Sequence, residues 1–439
     1  MLILYYLCRD IKWKNVILLI GSLIFYAWGE PVYIVLMVIS IFFNYLIGQD
    51  IERRTSKKPA LILGIVVNLL ILGYFKYSGL LIDTVNHITG LSIKNRELPL
   101  PVGISFYTFQ AMSYIIDVYR GDSKAQKSII PFAVYITMFP QLIAGPIVRY
   151  GDIEKQLTLR RFSSRDMGSG IMLFVKGLAK KVILANVIAV LHTEVLGIAD
   201  RSVLTAWLGA IAYTLQIYND FSGYSDMAIG LGRMFGFNFP KNFDAPYRSQ
   251  SITEFWRRWH ISLGTWFREY LYIPLGGNRK GTVRQILNLL IVWMLTGLWH
   301  GAAWNFVAWG LYYGILLILE KFVFKKVKEK LPKFINWLVT FVLVIIGWVL
   351  FFSDSLSGAV SYIGTMFGAG GAGIDSTGIF YLAGYGIIMV IGFLTAFIKP
   401  EEEQNRHGIF NWIVTILLAA LSVAFLVSES YNPFLYFRF

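Results

Sequence analysis

The 439-residue chain is 56% hydrophobic and only 15% charged, with a mean hydropathy of +0.58. About a quarter of the residues in a soluble domain are charged, so this composition excludes an ordinary soluble protein and indicates a membrane protein. The net charge of +14 is typical of basic cytoplasmic loops that face anionic lipid. Nucleic acid is not an expected partner, because no hydrophilic domain is present to bind it.

The first 95 residues are interpreted as hairpins of membrane spans. The single Cys8 excludes an internal disulfide and a thiolate zinc cluster. Asn15–Gly29 is apolar and ends without a small-residue cleavage pattern, so we expect a retained anchor. The short basic loop Asp50–Pro59 predicts a cytoplasmic connection.

Uncharged stretches near the roughly 20 residues that a membrane span requires recur along the chain. They are Pro31–Gln49, Pro59–Phe75, Ser128–Val148, Ser202–Asn219, Phe334–Phe352, Ser376–Ile398 and Ile409–Ser428. With the shorter or interrupted stretches, they predict an all-α polytopic membrane protein with roughly 9–12 membrane passes.

Residues 100–320 differ from their surroundings, because glycine, proline, asparagine and charged residues interrupt the apolar segments. Irregular backbone at membrane depth is tolerated only inside protein or beside a wet cavity. Long, clean spans return in residues 321–439. We therefore expect one domain over residues 1–439, with the function in 100–320 and structural helices on either side.

The segment Ile252–Gly281 combines His260 with tryptophan and arginine residues. These are Trp256, Trp259, Trp266, Arg257, Arg258 and Arg268. One interpretation is an amphipathic helix on the cytoplasmic face, with its arginines on lipid phosphate. The other is the mouth of a site for an anionic donor, in which the turn Gly276–Gly281 binds phosphate. The segment alone leaves both open.

His300 lies near the middle of Gln285–Leu319, 35 residues without a formal charge. A helix of that length would measure about 52 Å, whereas the hydrocarbon core is about 30 Å thick. The segment must therefore break, and "TGLWHGAAWN" is the expected position. His300 either bridges helices by hydrogen bonds or is functional, the default for an intramembrane ionisable residue. A neutral imidazole there could take a proton from a hydroxyl.

Familiar catalytic motifs are missing. The sequence has no GxSxG nucleophile motif and no HExxH motif, and no histidine starts an HxxxxD pattern. A serine hydrolase and a zinc enzyme are therefore not expected, and no metal ligands are predicted. His87 and His192 have no distinctive polar neighbours, and His407 lies in a hydrophilic segment. A histidine base acting directly on an acceptor hydroxyl remains.

Several motifs together resemble the membrane-bound O-acyltransferases, with the greatest similarity to the bacterial alginate O-acetyltransferase branch. They include "LPVGISFYTFQAMSYIIDVYRG", "FPQLIAGPIVRY", "ITEFWRRWHISLGTWFREYLYIPLGGNRKG" and "LTGLWHGAAWNFVAWG". The resemblance implies broken and re-entrant helices around a central tunnel. It implies that His300 is the catalytic base in that tunnel and that His260 occupies a position where the family has Asn, Asp or His.

The resemblance also implies an acyl-CoA donor, expected to be acetyl-CoA, that arrives from the cytoplasm, and no permanently bound cofactor. His260 would position or polarise this donor, and Arg257, Arg258, Trp259 and Arg268 are the expected donor-binding residues. The acyl group would be moved across the bacterial inner membrane for O-acetylation of an extracellular or cell-envelope polysaccharide. From their positions, we expect the carboxylates of Asp220, Asp226 and Glu269 to pair with these arginines.

Two alternatives stay open. Broken helices with buried polar groups are equally compatible with a transporter or flippase for an acylated lipid or sugar. An acyltransferase that modifies a membrane lipid would use the same chemistry. For the polysaccharide function we expect a separate extracytoplasmic acetyltransferase as partner, because a polymer is too large for the tunnel. The aromatic C-terminus "YNPFLYFRF" is a candidate docking segment.

Overall fold

A computed structural model describes residues 1–95, 98–143, 145–398 and 408–428. Regular structure in these ranges is helical, and no β-strand occurs among them. The predicted all-α class is confirmed. The C-terminal segment "YNPFLYFRF" and His407, both discussed from the sequence, lie outside the described residues.

The chain forms two compact units, which are described separately. The first comprises Met1–Ile171 and Ala228–Pro240, and the second comprises Met172–Met227 and Lys241–Phe439. Helices of residues 1–158 are α1 (Leu2–Leu7), α2 (Ile11–Gly29), α3 (Ile34–Arg53), α4 (Lys58–Leu72), α5 (Ser78–Thr89), α6 (Ile104–Arg120), α7 (Ile129–Thr137), α8 (Phe139–Leu142) and α9 (Tyr150–Thr158). The assignment of one domain to residues 1–439 stays a prediction.

The later helices are α10 (Ser164–Ala179), α11 (Asn186–Leu196), α12 (Val203–Met234), α13 (Ile252–Arg258), α14 (Ile261–Phe267), α15 (Thr282–His300), α16 (Trp304–Phe322), α17 (Lys325–Lys330), α18 (Lys333–Phe352), α19 (Leu356–Met366), α20 (Ser376–Phe397) and α21 (Ile409–Ser428). Three π-helical turns, Gly73–Tyr77, Lys180–Ala185 and Arg268–Tyr272, interrupt or extend these helices, and Pro246–Arg248 forms a 3₁₀ turn. Such π turns often lie at functional sites.

Seven helical segments in the described part of the chain are long and apolar enough to cross a membrane. They are Ile11–Gly29, Ile34–Arg53, Lys58–Thr89, Thr282–His300, Lys333–Phe352, Ser376–Phe397 and Ile409–Ser428. Helix α12 has 32 residues but is not among them, because polar side chains such as Asn219, Asp220 and Asp226 interrupt its apolar sequence. The total of 9–12 passes stays a prediction.

In the first unit, polar side chains tie neighbouring apolar helices together. Asn44 on α3 and Asn68 on α4 are both buried, and each amide nitrogen donates to the other's oxygen, at 2.7 and 3.2 Å. Amide pairs of this kind form hydrogen bonds that lipid chains could not provide to these polar groups. They fix which faces of α3 and α4 meet.

In the second unit, glycine residues permit helices α15 and α16 to pack closely against each other. A Cβ atom on Gly297 of α15 would collide with the Phe306 carbonyl oxygen, and one on Gly310 of α16 would collide with the Trp293 carbonyl oxygen. Small residues let membrane helices approach closely. Helices α15 and α16 are therefore held backbone to backbone.

The break predicted in the uncharged segment is confirmed. Helix α15 ends at His300, Gly301 is extended with φ −158° and ψ 149°, and α16 begins at Trp304. A side chain at Gly301 would collide with the Phe306 ring. The break therefore leaves His300 at the end of a helix, next to the turn.

Candidate active site

His260 occupies a strained position between two short helices. It lies in the connection from α13 to α14 with φ 47° and ψ 52°, a left-handed conformation that is uncommon for a residue with a side chain. Such conformations cluster at functional sites and persist only where the surroundings enforce them. The stretch Ile252–Gly281 is thus not one amphipathic helix, because α13, α14 and a π-helical turn divide it.

The Asn242 side chain holds this connection in place. Its Oδ1 lies 3.2 Å from His260 Nδ1 and accepts hydrogen bonds from the Ser262 backbone N–H at 3.2 Å and the Ser262 hydroxyl at 2.9 Å. The Asn242 carbonyl oxygen accepts from the Ile261 N–H at 2.9 Å. Asn242 and His260 are each only 1% exposed. The imidazole is therefore oriented by both backbone and side-chain bonds.

His300 is packed among aromatic rings of the second unit. It is 7% exposed, and its ring centroid lies 5.0 Å from those of Trp299 and Trp309 and 5.5 Å from that of Phe351. The centroids of the His260 and His300 rings are 6.4 Å apart. The two histidines that stood out in the sequence are therefore brought together.

A cavity of about 1220 Å³ in the second unit reaches His260. Its buried lining is mainly apolar and includes Leu263, Phe267, Val292 and Trp293. Ligand sites are commonly concave and apolar, with a few polar groups that fix orientation. The cavity thus offers an apolar chamber with a histidine in its wall.

The exposed part of the lining carries one acidic side chain, Glu329, and several cations. The exposed cationic residues that line it are Arg257, Arg268, Lys321 and Lys325. Lys328 also lines the cavity but is bound to Glu320, with 3.2 Å between Nζ and the carboxylate. Clustered cations favour an anionic ligand, and guanidinium and ammonium groups both bind phosphate.

An aromatic wall connects the cavity to His300. Trp256 and Trp293 line the cavity, with ring centroids 4.6 Å apart. The Trp256 ring also lies 5.6 Å from that of Trp309, which contacts His300. His300 itself is not part of the cavity lining. Ring contacts through Trp256 and Trp309 therefore link the cavity lining to His300.

The four expected donor-binding residues have different positions. Arg257 and Arg268 line the cavity, whereas Arg258 and Trp259 do not. Arg258 is paired with Glu254 at 2.8 Å and donates to the Asp244 carbonyl oxygen at 3.1 Å. Trp259 is buried among other aromatic rings. The geometry therefore supports a donor-binding role for two of these residues and a packing role for the other two.

The predicted partners of two acidic residues are wrong. Asp220 pairs with Lys181, and Asp226 pairs with Lys180 at 2.6 Å, instead of with an arginine near His260. Both lysines lie on the π-helical turn Lys180–Ala185, whose contacts with α12 were not visible in the sequence. Only Glu269 lies beside an expected partner, 3.4 Å from Arg268.

The glycine-rich turn Gly276–Gly281 is not part of the cavity lining. Two carbonyl oxygens in this region, those of Leu275 and Gly277, accept hydrogen bonds from the Asn288 amide at 3.3 and 3.0 Å. The turn thus connects to α15 through its carbonyl groups. Among the described residues, no group of three or more His, Cys, Asp and Glu side chains could share a metal ion.

Burial keeps His260 neutral. His260 lies outside the seven candidate spans, and desolvation lowers the pKa of its imidazole to about 3. A neutral imidazole can accept a proton or a hydrogen bond through one nitrogen and donate through the other. The site is therefore prepared for chemistry that needs uncharged histidine at neutral pH.

Sequence reasoning missed Asn242 and Ser262, as well as the lysines that line the cavity. Lys321, Lys325 and Lys328 belong to residues 321–439, for which the sequence predicted only structural helices. Ser262 lies only two positions after His260 in the sequence, and this proximity was a weak signal that it belongs to the site. No local signal pointed to Asn242, 18 positions before His260.

The family model and the curated relatives that match this chain agree on the type of protein. The sequence model of "MBOAT, membrane-bound O-acyltransferase family" matches residues 123–358, more than half of the chain. The chain is 41% identical to "Probable alginate O-acetylase AlgI" of Pseudomonas putida, covering 99% of this chain and 96% of that protein. It is 32% identical to "Peptidoglycan O-acetyltransferase" of Helicobacter pylori, covering 96% and 91%.

A more distant relative is "Teichoic acid D-alanyltransferase" of Bacillus subtilis, with 30% identity over 54% of this chain and 62% of that protein. The family match covers both histidines and the cavity, while the first two relatives align along nearly the whole chain. Seven apolar helices of spanning length agree with a multi-pass membrane protein. The chain belongs to the membrane-bound O-acyltransferase family and is an enzyme of acyl transfer.

Proposed function

We propose that the chain is an O-acetyltransferase of the bacterial inner membrane, which takes acetyl groups from acetyl-CoA for the O-acetylation of an extracellular or cell-envelope polysaccharide. The observation that carries the proposal is the cavity of about 1220 Å³, with cations at its exposed end and His260 in its wall, next to His300. An apolar cavity with several cations at its exposed end favours an anionic thioester as its ligand.

The cationic lining supports the donor class. Coenzyme A carries its phosphates at the end opposite the thioester, so its charge and its reacting group need separate surroundings. Arg257, Arg268, Lys321 and Lys325 would bind phosphate, and the apolar lining would hold the pantetheine arm. In this arrangement the donor enters from the cytoplasmic side, where basic loops collect.

The chemistry proposed for the two histidines is direct acyl transfer. His300 takes the proton of the acceptor hydroxyl, and the hydroxyl oxygen forms a bond to the thioester carbonyl carbon. The C–S bond then breaks, and the proton passes from His300 to the leaving thiolate. His260 positions or polarises the thioester. General base catalysis requires a neutral imidazole, which a desolvated site favours.

The aromatic wall gives this scheme one requirement. His300 does not line the cavity, and Trp256 in the lining contacts Trp309, which contacts His300. The scheme therefore requires these rings to move so that the thioester and the acceptor hydroxyl can meet at His300. Lids and gates that close a site to water are common in enzymes. We propose that donor binding displaces Trp256, which lines the cavity and also contacts Trp309.

The acceptor is proposed to be a polysaccharide reached through a partner. The relatives are named for alginate, peptidoglycan and teichoic acid, which are extracellular or cell-envelope polymers. A polymer is too large and too polar to pass an apolar aromatic wall. The simplest scheme is a relay, in which this chain carries acetyl across the membrane and a separate extracytoplasmic acetyltransferase modifies the sugar.

Family membership favours this enzyme over the transporter or flippase. An acyltransferase that modifies a membrane lipid shares the chemistry and differs only in its acceptor. The test uses the purified chain in liposomes with acetyl-labelled acetyl-CoA and soluble polysaccharide, with and without an extract of secreted proteins. We expect donor consumption that depends on the chain, and labelled sugar only with the extract.

Each other outcome of this experiment has a defined meaning. Efficient sugar acetylation by the chain alone would overturn the relay. Label that accumulates in lipid, with none reaching sugar, would identify a lipid acyltransferase. A wild-type chain that neither binds nor consumes acetyl-CoA would overturn the donor assignment.

A further inference from the structure

The hydrogen bonds around Asn242 determine the protonation of His260. The Ser262 backbone N–H can only donate, so the Asn242 atom that faces it at 3.2 Å is the amide oxygen. The Ser262 hydroxyl donates to the same oxygen at 2.9 Å. His260 Nδ1 lies 3.2 Å from it and must carry the hydrogen that completes the third contact. A neutral imidazole protonated at Nδ1 carries a lone pair at Nε2.

We infer that Asn242 is a positioning residue that holds His260 in the Nδ1–H form, so that Nε2 accepts a hydrogen bond from the pantetheine arm of the thioester donor. The inference rests on the proposed function and, of the two roles given there to His260, retains positioning of the donor and excludes polarisation of the thioester. A lone pair at Nε2 cannot polarise a thioester oxygen, because that oxygen is also an acceptor. It suits an amide N–H or a hydroxyl, and pantetheine carries both.

The alternative orientation of Asn242 is unfavourable. If the amide were reversed, its NH₂ group would face the Ser262 N–H, and two donors would meet in a buried site. In the orientation seen, Asn242 Nδ2 has no hydrogen-bond partner in the described part of the chain. The orientation of the Asn242 amide is therefore set by its oxygen, which accepts three hydrogen bonds, and not by its NH₂ group.

Other titratable groups lie on the elements packed around His260. His300 is on α15, with its ring centroid 6.4 Å away, and Phe221 of α12 packs on the His260 ring at 4.7 Å. The charged residues within about three positions of Phe221, Asn242 or His260 in the sequence are Asp220, Lys241, Asp244, Arg257 and Arg258. Asp220 and Asp244 are each paired with a lysine, Lys181 and Lys241. Desolvation is the cause of the low pKa of His260.

The main test is acetyl-CoA binding to full-length wild-type chain and variants, in detergent, at pH 6 and pH 8.5. In Asn242→Asp a carboxylate keeps all the accepted hydrogen bonds, but its charge raises the pKa of His260. His260 is then protonated at the lower pH, and Nε2 becomes a donor. Relative to wild type at the same pH, we expect binding near normal at pH 8.5 and about tenfold weaker at pH 6.

Asn242→Ala serves as the comparison, because it removes the acceptor without adding charge. We expect it to bind acetyl-CoA more weakly at both pH values, and Asn242→Asp to restore binding only at pH 8.5. Equal effects of Asn242→Asp at both pH values would overturn the inference, as would tighter binding at pH 6. If wild type itself does not bind acetyl-CoA, the proposed donor fails instead.

A second measurement reads the protonation of His260 in the wild-type chain. Nitrogen-15 spectra of histidine-labelled wild type in lipid at pH 7 distinguish the two neutral forms of imidazole, and His260→Asn identifies the signal. We expect a protonated Nδ1 and a bare Nε2 for His260. A signal from the opposite form, or from imidazolium, would overturn the inference.

Discussion

His260 and His300 are 40 positions apart in the chain (300 minus 260), yet their ring centroids lie 6.4 Å apart in the second unit. Each reaches this position through a break in helical structure: His260 in a left-handed connection and His300 at the end of α15. Two buried imidazoles at this distance can contact the two reactants at once, the acceptor hydroxyl at His300 and the donor at His260.

His300→Ala is expected to remove acyl transfer while leaving membrane abundance close to normal. The loss should be about 10²–10⁴-fold, the usual contribution of a general base. Acetylated product is measured in cells at matched protein level. His87→Ala, a histidine without a role in the site, is the control and should keep full activity. Activity of His300→Ala equal to that of the control would contradict the assignment.

His260→Asn is expected to retain more activity than His260→Leu. Asparagine can form hydrogen bonds and tolerates the left-handed backbone with φ 47°, whereas leucine does neither. Because strain also lowers stability, turnover is expressed per folded molecule, counted by gel filtration in detergent. Equal turnover of the two variants on that basis would mean that His260 only packs.

Lys325→Gln is expected to raise the KM for acetyl-CoA by about two- to fivefold with little change in kcat, since an exposed ionic contact contributes at most about 1 kcal/mol. The KM difference should shrink as salt is added. Lys330→Gln is the matched control, because Lys330 is on the same helix α17 but does not line the cavity. A similar KM change in both variants would indicate a general charge effect.

Asn278, on the exposed turn after His260, is expected to face the cytoplasm. In a Cys8→Ser background, Asn278→Cys should not react with a membrane-impermeant thiol reagent added outside intact cells. Ser357→Cys should react, because one span, α18, separates it from the basic stretch that ends at Lys333. The reverse labelling pattern would reverse the orientation and the route of the donor.

Length and composition were sufficient for the membrane class and for the break at His300. A continuous helix over the uncharged run Gln285–Leu319 would be longer than the hydrocarbon core is thick, so the sequence alone excluded a straight helix. Glycine and a buried histidine at the middle of the run located the break. The resemblance of the motifs then pointed to the acyltransferase family, which the comparisons show.

Only the tertiary structure decided which side chains meet. Asn242 lies against His260, Lys321 and Lys325 line the same cavity as Arg257, and Lys181 pairs with Asp220. Sequence spacing predicts neighbours within one helix, three or four positions apart. Contacts between helices depend on packing angles and on where each helix breaks, and these are properties of the folded chain.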